Sequence, residues 1–314
     1  MAGLEGEVLL GLVSGKLSEL RFGIIGLSPD NGHPYSWSAI FNGYNPESMA
    51  QCPFPTIPKY LKKQCFPKDG IADASVTHVW TQDRAISTQI AAAACISHVV
   101  DEPDQMIGAV DGVLLARDDA ENHLELAAPF LDAGLPIYID KPLALSVGEA
   151  ERLYDRQLKE GQIFTCSALA YAREFCIAPK DRADLGRLLF VEASTIKDWD
   201  RYAVHVLEPL QMLVADEGTV VSSRSAGRHA RHLDLVWESG VEGRVTAHGG
   251  PYGGISIRLF GERGWREMTF SDSFSAFRSA LNHFTSIVLG REPPQEPSKV
   301  LEIVRLIEAG RVGL

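Results

Sequence analysis

The sequence predicts an α/β protein in two parts: a parallel, doubly wound sheet domain, then an α/β domain with a mostly antiparallel open sheet. Three observations carry this expectation. Short apolar runs alternate with helical patterns from Arg21 to Pro142. Beyond Pro142 the pattern changes to successive β-like runs, several joined by glycine-rich turns. Two helical patterns then close the chain. Alternating strands and helices call for a parallel sheet covered on both faces, whereas β-like runs linked by short turns call for antiparallel neighbours.

Taken in order, residues 1–20 read as an N-terminal extension, residues 21–145 as the parallel-sheet domain and residues 146–314 as the second domain. Phe22-Gly23-Ile24-Ile25 reads as a fully buried strand ending at Gly26, with a helix expected from Tyr35. Tyr44 to Asp73 holds Pro46, Pro53, Pro55, Pro58 and Pro67, which exclude a long regular helix. That stretch reads as an insertion, either covering the crevice of the sheet or forming a surface loop. Val76 to Trp80 is a second strand, followed by an Ala-rich helix from Ser87 to Ile96. Asp111 to Ala116 is a third strand, and Leu124, Ala127, Ala128 and Leu131 mark a helix over Asn122 to Ala133, stopped by Gly134. Pro136 to Ile139 is the next strand, closed by Asp140. A helix over Val147 to Glu160 leads into Ile163 to Ala168. The later β-like runs are 188–195, 219–225, 233–238, 244–248, 255–260 and 265–270, and the last helices 274–289 and 298–309.

The 314 residues are 45% hydrophobic and 23% charged, enough to bury a sizeable core. Thirty basic against 41 acidic side chains give a formal charge of −11, which argues against nucleic acid or an anionic membrane surface as a partner. No apolar run approaches the roughly 18 residues of a membrane helix. Glu5 and Glu7 precede the apolar stretch Val8 to Val13, unlike the basic start of a secretory signal. Five cysteines form no C-x-x-C pair, and Cys52 and Cys65 are expected as free thiols. These features fit a reduced, cytoplasmic protein. His229 and His232 are three apart in a strand pattern and point to opposite faces, so no metal site is expected. No G-x-S-x-G, H-E-x-x-H or Walker pattern occurs.

The turn Gly26-Leu27-Ser28-Pro29-Asp30-Asn31-Gly32-His33 admits two readings. A dinucleotide fold needs small residues here, so that backbone N–H groups at a helix N-terminus meet the pyrophosphate. Gly26 sits correctly, Gly32 lies near the third-glycine place and Ser28 replaces the middle glycine; a plain strand-to-helix turn would look the same. At the end of the second strand, Asp83 would suit the ribose hydroxyls of NAD, while Thr81 with Arg84 would suit the 2′-phosphate of NADP.

Asp111 to Ala116, then His123, then Gly134-Leu135-Pro136-Ile137-Tyr138-Ile139-Asp140-Lys141-Pro142 resembles the Gfo/Idh/MocA oxidoreductase family. Its signature is a strand, a Thr-Pro-rich loop, a His-bearing helix and a strand ending Glu-Lys-Pro. Leu185-Gly186-Arg187 and the ending from Phe284 to Gly310 extend the likeness over most of the chain. The proline keeps Lys141 extended and aims it off the carboxyl end of the sheet. The resemblance implies an N-terminal Rossmann-type domain binding NAD or NADP through Gly26, Ser28, Asn31, Gly32, His33, Asp83, Arg84, Arg117, Asp118, His123, Asp140 and Lys141. It implies a lysine, Lys141, on the substrate hydroxyl beside the nicotinamide. In Asp198 to Glu208, His205 and Glu208 match the family's histidine and following acid, while the acid expected four residues before His205 is Arg201, with Asp200 one place off. Arg117-Asp118-Asp119 stands where the family has Thr-Pro-Asn, and would bind an anionic group or form an ion pair.

The resulting expectation is hydride transfer to or from a secondary alcohol of a sugar, cyclitol or related polyol. Lys141 holds the reacting oxygen, and His205 exchanges its proton, oriented by Asp200 or Glu208. Tyr171, Arg173 and Tyr202 complete the substrate contacts, and a homo-oligomer through the second sheet is implied. A redox-neutral enzyme with a tightly held NAD, and a non-catalytic binding or regulatory protein on the same scaffold, stay open beside this. Substrate identity and the choice of NAD or NADP stay open too.

Overall fold

A computed structural model describes residues 19–311; the expected N-terminal extension lies almost wholly outside the described residues. The chain begins with β1 (Leu20–Ile25), α1 (His33–Asn42), α2 (Pro46–Met49), α3 (Thr56–Leu61), β2 (Ala74–Trp80) and α4 (Arg84–Ala93). It continues through β3 (His98–Val99), β4 (Gly112–Leu115), α5 (His123–Asp132), β5 (Ile137–Ile139), α6 (Val147–Tyr154) and β6 (Ile163–Phe164). The six strands form one sheet in the order β3-β2-β1-β4-β5-β6, with parallel pairing throughout. The chain winds outward from β1 to β3, then returns to lay β4 on the other side of β1. That reversal opens a crevice at the carboxyl ends of β1 and β4, where such sheets bind their ligands.

Both faces of this sheet are covered, which is why its strands read as unbroken apolar runs. Phe22, Ile24, Leu114 and Tyr138 point into one core, and Ile25, Val113, Leu115, Ile137 and Ile139 into another. β3 and β6 are two residues long and too short to show a period; the sequence reading missed the first and overextended the second. The helix expected over Val147 to Glu160 stops at Tyr154, and the turn after it closes at Gly161 with φ 76°.

The second domain comprises α7 (Pro179–Leu185), β7 (Leu188–Thr195), α8 (Trp199–Tyr202) and α9 (Val204–Leu213), then β8 (Val220–Ala226) and β9 (Arg231–Trp237). Next come β10 (Glu242–Ala247), β11 (Ser256–Gly261) and β12 (Gly264–Thr269), followed by α10 (Ser273–Val288) and α11 (Pro297–Arg311). Its sheet runs β12-β11-β7-β10-β9-β8 and is antiparallel except where β7 meets β10. α9 packs beneath it, so β7 alternates buried and more exposed positions.

The last two helices bind the domains together by dividing between the faces of the first sheet. From α10, Phe284 stacks near Phe22, Tyr138 and Phe164. From α11, Val300 and Val304 join the opposite core. The end of α11 is pinned by Trp199, whose Nε1–H donates to Ile307 O at 2.8 Å. Gly310 leaves room for that ring: a Cβ there would lie 2.0 Å from Trp199 Cζ2. Gly→Ala in a helix is ordinarily stabilising by about 1 kcal/mol. Gly310→Ala is expected to reverse that sign and destabilise by about 1–3 kcal/mol through overpacking, read from the urea midpoint; an unchanged or raised midpoint would contradict the packing.

The insertion does not form a free surface loop. Phe54 and Ile57 pack against Gly32, Tyr60 donates its hydroxyl to Ser36 Oγ at 2.5 Å, and Phe66 meets Phe274 edge-on at 6.1 Å. It wedges behind the first turn, between α1 and α10, instead of covering the crevice. All five cysteines are free. Among the described residues no helix is long and apolar enough to cross a membrane, and no cluster of side chains could hold a metal ion.

Candidate active site

The turn after β1 is built differently from a bare glycine cradle. A Cβ on Gly26 would lie 2.4 Å from Pro34 Cγ, and one on Gly32 would lie 2.6 Å from Ile57 Cδ1. These glycines therefore make room for the protein's own side chains. The Leu27 N–H donates to Gln82 Oε1 at 3.0 Å, and Gln82 Nε2–H donates back to Leu27 O at 2.6 Å. In the first turn of α1, the His33 N–H is taken by Asn31 Oδ1 at 2.8 Å, and Pro34 has none. Gln82, which the sequence reading passed over, thus staples the turn to the end of β2. Its neighbours do other work: Asp83 caps α4 by accepting from Ala85 N–H at 2.8 Å, and Arg84 pairs with Asp101 at the surface.

At the crevice itself Ser28, Asp118 and Lys141 meet. Ser28 Oγ donates to Asp118 Oδ1 at 2.6 Å and Lys141 Nζ donates to Asp118 Oδ2 at 3.3 Å. Lys141 is 4% exposed and Asp118 7% exposed, so this is a buried pair. Burial alone would raise the Asp118 carboxyl, but Lys141, Ser28, His33 and Arg201 hold it well below the usual carboxylate range. Arg117 forks onto Asp119 at 2.9 and 2.5 Å and also donates to Gln82 Oε1 at 3.0 Å. Of the two roles expected for Arg117-Asp118-Asp119, the structure shows the ion pairs.

Asp140 and His123 brace the crevice through internal hydrogen bonds. The buried Asp140 carboxylate accepts from Asn31 Nδ2–H at 2.9 Å and from the Lys141 N–H at 2.8 Å, and lies 2.5 Å from His33 Nδ1. Burial pushes its pKa up, and His33 and Lys141 more than offset this, so it stays lowered. The His123 ring, fully buried, spans Arg117 O at 2.8 Å and Leu143 O at 3.0 Å. It ties the loop after β4 to the loop after Lys141.

The second domain brings α8 and α9 to the same crevice. Lys141 Nζ lies 5.6 Å from the centre of the Tyr202 ring, within cation–π reach. Lys197 Nζ donates to Tyr202 Oη at 2.6 Å. The His205 ring meets Tyr202 edge-on at 5.2 Å. Burial, then the Lys141 charge, hold the His205 imidazole well below its ordinary value, so it is neutral near pH 7. Glu208, one turn on, is pushed up to about 8 by burial, opposed by the Ser167 N–H and Lys141.

Three expected site residues take partners other than Lys141 and His205. Asp200 pairs with Arg311 at 3.2 Å, because α8 turns it toward the end of α11 and away from His205. Ser167 instead reaches His205 Nδ1 at 2.8 Å. Arg173 pairs with Asp272 at 3.2 Å, where it braces the start of α10. Tyr171 hydrogen-bonds His283 Nδ1 at 2.6 Å and faces a second cavity of about 300 Å³ shared with Glu208 and Cys166. On the crevice side a cavity of about 550 Å³ is lined by Asp118, Glu121, Glu149, Asp200, Arg201 and Arg311, among others.

A nicotinamide dinucleotide needs donors for its phosphates and a polar group at its reacting end. Ser28, Gln82, Arg117 and Lys141 supply those donors at the carboxyl edge of the sheet, each now holding an internal partner. The fit therefore draws on side chains, since the Gly26, Leu27, Asn31 and His33 amides of the turn already have partners.

Residues 61–167 match the family model described as Gfo/Idh/MocA, oxidoreductase family, NAD-binding Rossmann fold. The match begins after the altered turn. No curated protein matches the sequence. GenD2 from gentamicin A biosynthesis, solved with NAD, is 16% identical, with a TM-score of 0.69 over 98% of this chain and 96% of that one. Apo scyllo-inositol dehydrogenase from Lactobacillus casei is 12% identical, with a TM-score of 0.71 over 93% and 95%. Biliverdin reductase from Synechocystis sp. PCC 6803, solved with biliverdin and NADP+, is 15% identical, with a TM-score of 0.68 over 93% and 98%. Residues 61–167 are thus similar to the NAD-binding Rossmann fold of the Gfo/Idh/MocA oxidoreductases, and the chain as a whole shares its fold with these structures.

Proposed function

We propose that the protein is a nicotinamide-dependent oxidoreductase that interconverts a secondary alcohol and a ketone on a sugar- or polyol-like substrate. One observation carries this reading: Lys141 and Tyr202, with the His205 ring against Tyr202, converge at the crevice of a Rossmann-type sheet. When bound, the nicotinamide supplies or accepts the hydride equivalent. Ser28, Gln82, Arg117 and Lys141 are the groups proposed to hold the cofactor, after exchanging their internal partners. Lys141, buried at the crevice, holds the substrate oxygen and carries its proton: the ammonium gives a proton to the ketone oxygen as hydride arrives, and the amine takes it back from the hydroxyl as hydride leaves. His205, neutral near pH 7, shares a hydrogen bond with that oxygen. Tyr202 sets the position of Lys141 from the side of the second domain.

Either NAD or NADP is compatible with the end of β2. Asp83 is committed to a helix cap, and the Arg84–Asp101 pair is solvent-exposed and cheap to exchange for a phosphate. Self-association is proposed through the open face of the second sheet, where Leu189 and Trp265 are 43% and 62% exposed.

Thermal-shift titration of the full-length protein with NAD, NADP and their reduced forms tests the cofactor. A ligand at a hundred times its Kd stabilises by about 2.7 kcal/mol. Stabilisation by one pair, followed by a change in nicotinamide absorbance with a cyclitol or sugar panel, is the expected result. No shift with any of the four would overturn the reading in favour of a non-catalytic binding protein. Binding with no absorbance change at turnover would favour redox-neutral chemistry.

A further inference from the structure

We infer that Ser167 is a positioning residue for His205 and decides which ring nitrogen carries the proton, so that the neutral imidazole presents an N–H, not a lone pair, to the substrate oxygen. The reading of His205 as facing substrate rests on the proposed function; the tautomer does not.

The argument is one of hydrogen-bond capacity. Ser167 follows β6, and its side chain is fully buried. Its backbone N–H donates to Glu208 Oε2 at 2.6 Å, which fixes the residue against α9. Its Oγ accepts from the Leu169 N–H at 3.2 Å and lies 2.8 Å from His205 Nδ1. A hydroxyl carries one proton and can donate once. Among the described residues, Leu169 N–H can only donate to Oγ, and His205 Nδ1 is the acceptor in reach. Ser167 O–H therefore donates to Nδ1, and the neutral ring holds its proton on Nε2. The charges that act on this ring, Lys141, Asp140, His33 and Asp118, are those of the crevice.

The placement explains a gap in the sequence. Arg201 stands four residues before His205, and Asp200 is engaged by Arg311. A carboxylate at Nδ1 would draw the proton to that nitrogen and leave Nε2 free as a base. A serine hydroxyl that donates to Nδ1 does the reverse. His205 is then suited to hydrogen-bond a carbonyl or hydroxyl oxygen, with Lys141 as the second donor.

Long-range proton–nitrogen NMR of the full-length protein at neutral pH, with His205 assigned by loss of its signals in His205→Asn, reads the tautomer directly. The expected result is a protonated Nε2 and a bare Nδ1 in the wild type, retained in Ser167→Thr. In Ser167→Ala the ring is expected to shift toward the Nδ1–H form. A wild-type ring protonated on Nδ1 would overturn the inference, as would an unchanged tautomer in Ser167→Ala. Should Ser167→Ala fail to fold, the wild-type spectrum alone still decides. With an active substrate, kcat in Ser167→Ala is expected to fall about 10- to 100-fold with KM little changed, and to recover in Ser167→Thr. The spectra need neither cofactor nor substrate. A protein that binds no nicotinamide yet shows the Nε2–H ring would defeat the proposed function and leave this inference standing.

Discussion

Lys141→Met is expected to lower kcat by about 10²–10³ and, separately, to destabilise the folded protein by about 3–5 kcal/mol. The first effect follows from removing a buried donor at the reacting oxygen. The second follows from the partner: Asp118 is 7% exposed, and its carboxylate would be left without the ammonium 3.3 Å away. Ser28 and Arg201 would compensate only part of that charge. Adding Asp118→Asn to Lys141→Met removes the stranded charge, and the double variant is expected to regain most of the stability and none of the turnover. Urea midpoints and steady-state rates on the single and double variants separate the effects. Lys141→Met with native stability would mean that the pair is not buried in solution. Native turnover would remove Lys141 from the chemistry.

Glu208→Gln is expected to change how stability depends on pH. The Glu208 carboxyl is pushed from 4.5 to about 8 by burial, so the folded protein keeps it neutral where the unfolded chain has ionised it. The unfolded state then binds fewer protons than the folded one, and stability falls as pH rises from about 4.5 to about 8. Each unit of such a shift corresponds to about 1.4 kcal/mol, and discounting for the part of Glu208 open to solvent leaves a loss of about 3 kcal/mol. Glutamine keeps an oxygen for the Ser167 N–H and has no proton to lose. The variant is expected to match the wild type below pH 4.5 and to exceed it by about 3 kcal/mol above pH 8. Denaturation midpoints at pH 5 and pH 8.5 check this; a constant gap between the two proteins would place the carboxyl in ordinary solvent.

The residues that read clearly in sequence are those whose role is local. β1, β4 and β5 announce themselves because both faces of each are buried. β7 has the bounds of the β-like run read at 188–195. Asp140-Lys141-Pro142 marked the crevice because a strand end and a proline fix where a side chain is aimed. Ser167 and Gln82 gave no such signal. A serine after a two-residue strand and a glutamine in a turn are ordinary, and they matter here only through partners 38 and 55 positions away. Asp200 misled for the same reason: adjacency to Arg201 says nothing about the direction in which a short helix turns its side chain.

By itself the sequence determined the two-part α/β architecture, the strands that line the crevice and the place of Lys141. These depend on periodicity, glycine and proline stops, and burial of apolar runs, which act over a few neighbouring residues. Only the tertiary structure decided the rest. It showed that Gly26 and Gly32 make room for Pro34 and Ile57, that Asp118 holds Lys141, and that Ser167 stands where an acid was expected beside His205. It also showed that α10 and α11 divide between the two faces of the first sheet. Each of these is a choice among hydrogen-bond or packing partners far apart in the chain. Such choices are settled by which groups folding brings within about 3 Å of one another, and local pattern carries no record of them.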